Sequence, residues 1–306
     1  MNSKKNYSDK LFIIGNGFDL AHNLPTRFDP HFKNIAKTYE NYNFWDLYQC
    51  CEDDIWSDFE NLLGHPDFNS LEEIFDGYTP DYFSERESDR DSIITQVQIN
   101  GNLNDALYEF AEEAEKSLQR TKIDSRITKI IDANAYYISF NYTHTLEKIY
   151  NIPPEHILHI HGEVGKNNLK LGYTKGNFIP EKYSFDFRKK GRGPYIDMKI
   201  DEYIDNHIDD FYVRTAYTEL LDKCENFYKE VEIGLLENFL DNNKVNLEEI
   251  IVYGHSCAID YDYFNYLNTR YSEVCWKFYV KGYEQEYNVY SLIEQYTIKN
   301  AIVIKL

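Results

Sequence analysis

Four short segments hold residues whose types and spacing could do chemistry. In the first, the apolar run Leu11-Phe12-Ile13-Ile14 stops at Gly15-Asn16-Gly17-Phe18-Asp19, and Leu24-Pro25-Thr26 lies just beyond. Glycine lets backbone N–H groups come close to a ligand and a helix N-terminus favours negative charge, so such a loop suits a phosphate or pyrophosphate. A plain strand–turn–helix connection has the same grammar, and the third glycine of the dinucleotide fingerprint would fall at Leu20. In the second segment, Ser139-Phe140-Asn141-Tyr142-Thr143-His144-Thr145, Asn141 stands where a strand stops. Its amide can bond a ribose hydroxyl, orient a water, or cap a helix, a task that also suits Thr143. In the third, His159-Ile160-His161-Gly162, strand alternation sets both histidines on one face and Gly162 permits a sharp turn beside His161. A histidine there can act as a general base near neutral pH, serve as a structural group, or ligate a metal as half of an H-x-H pair. The fourth is Tyr253-Gly254-His255-Ser256-Cys257-Ala258-Ile259-Asp260. Gly254 and Ser256 can approach a nucleotide, and Asp260 can hold a ribose or cap a helix. Ala258 replaces the second glycine of a nucleophile elbow, so no elbow is expected.

These loops need strands to present them. Apolar, β-rich runs recur at residues 10–15, 134–140, 156–161, 168–173, 248–254, 274–281 and 300–305. Helical patterns follow Asn141, Asp260 and Glu284. Strands alternating with helices predict an α/β fold: a Rossmann-like, mostly parallel sheet covered by helices on both faces. Two stretches interrupt the alternation, at 30–127 and 177–246, and are expected to be helical insertions forming a cap or small subdomain within a single 1–306 domain. Trp56, Phe59, Leu62 and Leu63 sit at helical spacing in the first, and segment 79–103 is polar. The second contains the basic cluster Arg188-Lys189-Lys190-Gly191-Arg192, either a solvated loop or a neutraliser of bound phosphate.

The formal net charge of −20 disfavours non-specific binding to nucleic acid or an anionic membrane, while leaving room for a small anionic ligand. No apolar run is long enough for a transmembrane helix, and the polar start of the chain lacks the apolar core of a signal peptide. Five cysteines without a C-x-x-C pair fit reduced thiols in a cytoplasmic protein, with no metal site expected.

Taken in order, the loops resemble the AbiH-type abortive-infection family of bacterial phage-defence proteins, itself similar to a divergent branch of sirtuin-like domains. Gly15-Asn16-Gly17-Phe18-Asp19 with Leu24-Pro25 parallels the sirtuin G-A-G-I-S…G-I-P loop. Asn141 falls on the asparagine of the T-Q-N-I-D motif, His161-Gly162 on the catalytic His-Gly pair, and Gly254-x-Ser256 on the late G-x-S motif. Trp56-x-x-Phe59-Glu60 resembles AbiH relatives. The resemblance implies bound NAD and hydrolysis of its nicotinamide–ribose bond, with Asn141 and His161 catalytic. Gly15, Asn16, Gly17, Phe18, Asp19, Pro25, Thr143, Gly162, Gly254, Ser256 and Asp260 are expected to contact the nucleotide. A phage-derived trigger and homo-oligomerisation are the expected partners beyond that small molecule. The chain lacks the four-cysteine zinc site of deacylase sirtuins, and Thr143 replaces the aspartate after the NAD-binding asparagine, which argues against protein deacylation. Two alternatives stay open: a non-catalytic NAD or ADP-ribose sensor, and a metal-dependent hydrolase built on His159 and His161.

Overall fold

The computed structural model describes residues 9–39, 56, 59–63, 103–121, 123, 125–174, 211, 214–215 and 227–306. Six strands pair in parallel: β1 Lys10–Ile14, β2 Tyr136–Ser139, β3 Ile157–His159, β4 Glu249–Tyr253, β5 Cys275–Val280 and β6 Ala301–Lys305. Their order is β3-β2-β1-β4-β5-β6. The winding reverses between β1 and β4, and in doubly wound sheets ligands bind outside the carboxyl ends of the strands at that reversal.

Short apolar runs become these strands because a parallel sheet is buried on both faces. Alternation along β1 sends Leu11 and Ile13 into one core and Phe12 and Ile14 into the other. The first core is closed by Leu236 and Leu240 of Ile233–Asn242, by Tyr263, Phe264 and Leu267 of Tyr261–Arg270, and by Val289 and Leu292 of Tyr283–Tyr296. The second is closed by Phe18 of Asn16–Ala21, Ile127 of Ser125–Thr128 and Leu146 of Thr145–Tyr150. The expected α/β, Rossmann-like architecture is present, and among the described residues every strand pair is parallel.

The run 168–173 does not become a strand. Gly172 adopts φ +132°, and a Cβ there would lie 1.8 Å from the Phe227 carbonyl oxygen. Tyr173 makes only an isolated parallel bridge to Tyr228.

Two compact units are distinguished: residues 1–27, 107–170 and 230–306 around the sheet, and residues 28–106 with 171–229. In the second, Trp56 stacks on Phe59 with ring centres 4.8 Å apart, and both rings lie against Phe32. Next to Phe59, Glu60 meets the buried Lys229 ammonium at 3.3 Å. The W-x-x-F-E pattern thus builds an aromatic core and anchors a buried cation. Segment 79–102, the cluster Arg188–Arg192, and Cys50, Cys51 and Cys224 lie outside the described residues. Cys257 and Cys275 are free thiols. Among the described residues no helix is long and apolar enough to cross a membrane.

Candidate functional site at the carboxyl edge of the sheet

The glycines of the β1 and β4 loops face each other. Gly15 N–H donates to the Tyr253 carbonyl at 3.1 Å, Gly17 N–H to the Gly254 carbonyl at 2.7 Å, and Phe18 N–H to the Gly15 carbonyl at 2.9 Å. A Cβ on Gly17 would stand 2.7 Å from Gly254 Cα, and one on Gly254 would stand 2.3 Å from Phe18 N. These loops are glycine-rich because their backbones touch. The Asn16 amide donates to the Thr26 carbonyl at 2.6 Å and so fastens the segment that carries the half-buried Pro25. The Phe18 ring is fully buried against His22, Tyr150 and Tyr253.

Asp19 is not a helix cap; it lies inside Asn16–Ala21 and is 1% exposed. Thr143 Oγ1 donates to its Oδ2 at 2.6 Å and Thr145 Oγ1 donates to its Oδ1 at 2.7 Å, and the nearby Asn141 amide favours its charged form. The two hydroxyl oxygens are only 2.9 Å apart. Each carries one hydrogen, so an acceptor-only carboxylate is what lets both point inward. Burial lifts the Asp19 carboxyl from 3.8 to about 6, against the lowering effect of those donors. Asn141 also donates from Nδ2 to the Gly15 carbonyl at 3.2 Å, tying the β2 loop to the β1 loop.

A second buried constellation stands beside the first. His161, just beyond β3, brings Nε2 to 3.3 Å from Asp260 Oδ1, and His255, just beyond β4, brings Nε2 to 3.6 Å from Oδ2. All three side chains are at most 5% exposed. The Phe140 ring packs edge-to-face on both histidines, with centres 5.0 and 4.7 Å away. Phe140 precedes Asn141 directly, so the end of β2 touches both constellations. Asp260 occupies the N-cap position of Tyr261–Arg270 at φ +61° and makes no capping bond with its side chain. Its carboxylate faces the imidazoles instead.

Around these groups runs a clamp. His144 meets Glu115 at 2.9 Å through Nδ1 and Glu163 at 3.0 Å through Nε2, and its backbone N–H donates to Glu115 at 2.9 Å. Burial alone would raise Glu115, but its bonds from His144 and Lys148 prevail and hold it down at about 2. The bond to Glu115, aided by Glu163 against burial, lifts His144 to about 9. His159 donates from Nδ1 to the Asn141 carbonyl at 3.0 Å and meets Glu147 at 2.9 Å through Nε2. His159 and His161, offered by the sequence as an H-x-H pair, therefore take separate partners. Among the described residues no group of three or more His, Cys, Asp or Glu side chains is arranged to hold a metal ion.

Gly162 sits at φ +88°, where a Cβ would lie 2.2 Å from the Asn168 carbonyl oxygen. Ser256 is exposed, and its hydroxyl accepts the Ala258 N–H at 3.3 Å. Sequence reasoning passed over Thr145, for which the T-x-T spacing with Thr143 was a usable signal. It also passed over Glu115, whose helix Leu103–Ser117 gives no local hint of a partner in a distant loop.

A family model described as "Bacteriophage abortive infection AbiH" matches residues 11–280, and the chain belongs to that family. No curated protein and no solved structure matches it.

Proposed function

We propose that this AbiH-family chain serves phage defence by binding NAD at the carboxyl edge of its sheet and hydrolysing the nicotinamide–ribose bond. The observation that carries this reading is the convergence at the end of β2. There Asn141, bonded to the Gly15 carbonyl, stands beside the buried Asp19 carboxylate, while Phe140 packs on His161, whose Nε2 lies 3.3 Å from Asp260 Oδ1. A substrate whose scissile bond leaves positive charge on a ribose needs an orienting amide, nearby carboxylates and a base, as glycoside hydrolysis does.

In the reaction the ribose–nitrogen bond breaks and its electron pair leaves with nicotinamide. A water oxygen bonds to the ribose carbon, and one proton is released. His161 takes that proton, either from the water or from a ribose hydroxyl, and Asp260 stabilises the imidazolium so formed. Asn141 orients the ribose and the water. Asp19 adds negative charge beside the developing cation. Nucleotide binding rests on these side chains and not on the N–H groups of Gly15, Gly17 and Phe18, which protein carbonyls already engage.

Nicotinamide release from NAD, with and without extract of phage-infected cells, tests this function. His161→Ala and Asn141→Ala should each abolish release while the circular dichroism spectrum stays that of the parent. The loss for His161→Ala should fall near the roughly 10²–10⁴-fold worth of a general base. A folded His161→Ala that cleaves NAD at the parental rate removes the assignment. Binding of ADP-ribose by a parent that never releases nicotinamide would make the site a sensor.

A further inference from the structure

We infer that His255 is a positioning residue of this site, sharing the Asp260 carboxylate with His161 so that His161 alone is oriented as the base. The inference rests on the NAD-cleavage reading for the identity of the reaction, but its geometry stands apart from it. His255 Nδ1 accepts the Cys257 N–H at 3.0 Å. The ring hydrogen is therefore on Nε2, the nitrogen that faces Asp260 Oδ2. With Nδ1 committed as an acceptor and Nε2–H directed at the carboxylate, His255 keeps no lone pair for a substrate proton. His161 shares only the Asp260 end of this arrangement, through its own Nε2.

His255 is also fixed as a body. Phe140 and Phe264 pack on its ring, and its carbonyl accepts the Gln285 amide at 2.7 Å. Gln285 in turn accepts the Lys281 N–H at 2.7 Å. The carboxylate between the rings thus faces, at 3.6 Å, a ring fixed by packing and by its bond from Cys257. Among the described residues, the Asp260 charge also acts on Asp262 and Tyr263, Glu232 touches Tyr263, and Cys257 lies against His255. Burial and the Asp260 charge raise Asp262, and burial raises Tyr263, whose hydroxyl accepts the Glu232 N–H. Lys170 is paired with Glu232.

Histidine-selective NMR on the labelled full chain, with no nucleotide added, reads both the tautomer and the titration of each ring. His255 should show the Nε2–H tautomer. Asp260→Asn should lower the His161 midpoint by about one pH unit or more, because a facing carboxylate favours the imidazolium. His255→Leu should raise that midpoint, since the carboxylate loses a competing donor. His255→Gln, whose amide supplies a donor where Nε2–H was, should restore it. An Nδ1–H tautomer at His255, or a His161 midpoint that moves in neither Asp260→Asn nor His255→Leu, overturns the inference. If His255→Leu does not fold, the parental tautomer and Asp260→Asn still decide. In the nicotinamide-release assay the acidic limb of the pH profile should follow the His161 midpoint. A limb that stays fixed while the midpoint moves also overturns the positioning role. A midpoint that moves in a chain that never cleaves NAD supports the positioning and removes the NAD reading.

Discussion

Asp19 is a fully buried carboxylate with donors on both oxygens, and burial still lifts it from 3.8 to about 6. The folded state therefore holds the proton more tightly than the unfolded chain. The stability this contributes is complete below about pH 4 and is lost as pH rises through about 6. Asp19→Asn removes that dependence. Relative to the parent, the variant should gain on the order of 3 kcal/mol between pH 4 and pH 7, read from thermal melts across the range. A stability difference that stays constant with pH would refute the assignment. Gly17→Val acts on the fold in another way: its Cβ would press on Gly254 backbone at 2.7 Å. Neither loop backbone can yield cheaply, so the variant should lose roughly 1–3 kcal/mol and melt earlier whatever it binds. An unchanged melting temperature would show that the loops part freely. The sequence offers Gly15, Gly17 and Gly254 as places where a nucleotide can approach the backbone, and in the structure the facing loop is what lies against them. A neighbouring loop and a phosphate make the same demand on a glycine. Asp260 is illegible for a related reason: it occupies a cap position, and only the fold brings two histidines to its oxygens.

Among the elements, the helix Leu103–Ser117 reaches the β2 loop through Glu115 and His144. The two partners set opposite edges of a pH window. Glu115, held down at about 2, contributes stability above about pH 4.5 that is lost as pH falls through about 2. His144, lifted to about 9, contributes stability below about pH 6.5 that is lost as pH rises through about 9. The clamp is therefore complete between about pH 4.5 and 6.5. Glu115→Gln should show its largest deficit in melting temperature inside that window, and the deficit should narrow towards pH 9. A deficit of the same size at pH 9 as at pH 6 would mean the contact is packing and not charge. The strands themselves were largely legible, because a short apolar run between turn signals has few other uses in an α/β chain. The run 168–173 looked the same and failed at Gly172, whose positive φ breaks the extended backbone. The helices after Asn141 and Asp260 were legible from period, whereas a tie such as Glu115 to His144 has no period to betray it.

At the scale of the molecule, alternation of strands and helices pointed to the parallel sheet but not to its order. Which strand neighbours which depends on how the two cores close, and the residues that close them come from distant parts of the chain. Net charge is the one whole-molecule property that composition supplies directly, and it bears on the ligand. A chain of formal charge −20 repels an anion such as ADP-ribose at long range, and added salt screens that repulsion. If buried side chains such as Asn141 and His161 dominate recognition, their short-range contacts are screened far less. The affinity for ADP-ribose should then hold steady or rise between low and physiological ionic strength. Proteins that bind nucleic acid through phosphate contacts behave in the opposite sense and lose affinity steeply with salt. Calorimetric titration across a salt series separates the two. A steep fall in ADP-ribose affinity would shift recognition to a cationic contact, and the only basic cluster in the sequence, Arg188-Lys189-Lys190-Gly191-Arg192, would be its source. Neutralising Arg188 and Arg192 together should then abolish the salt dependence. If the affinity holds or rises with salt, the same double variant should leave it unchanged.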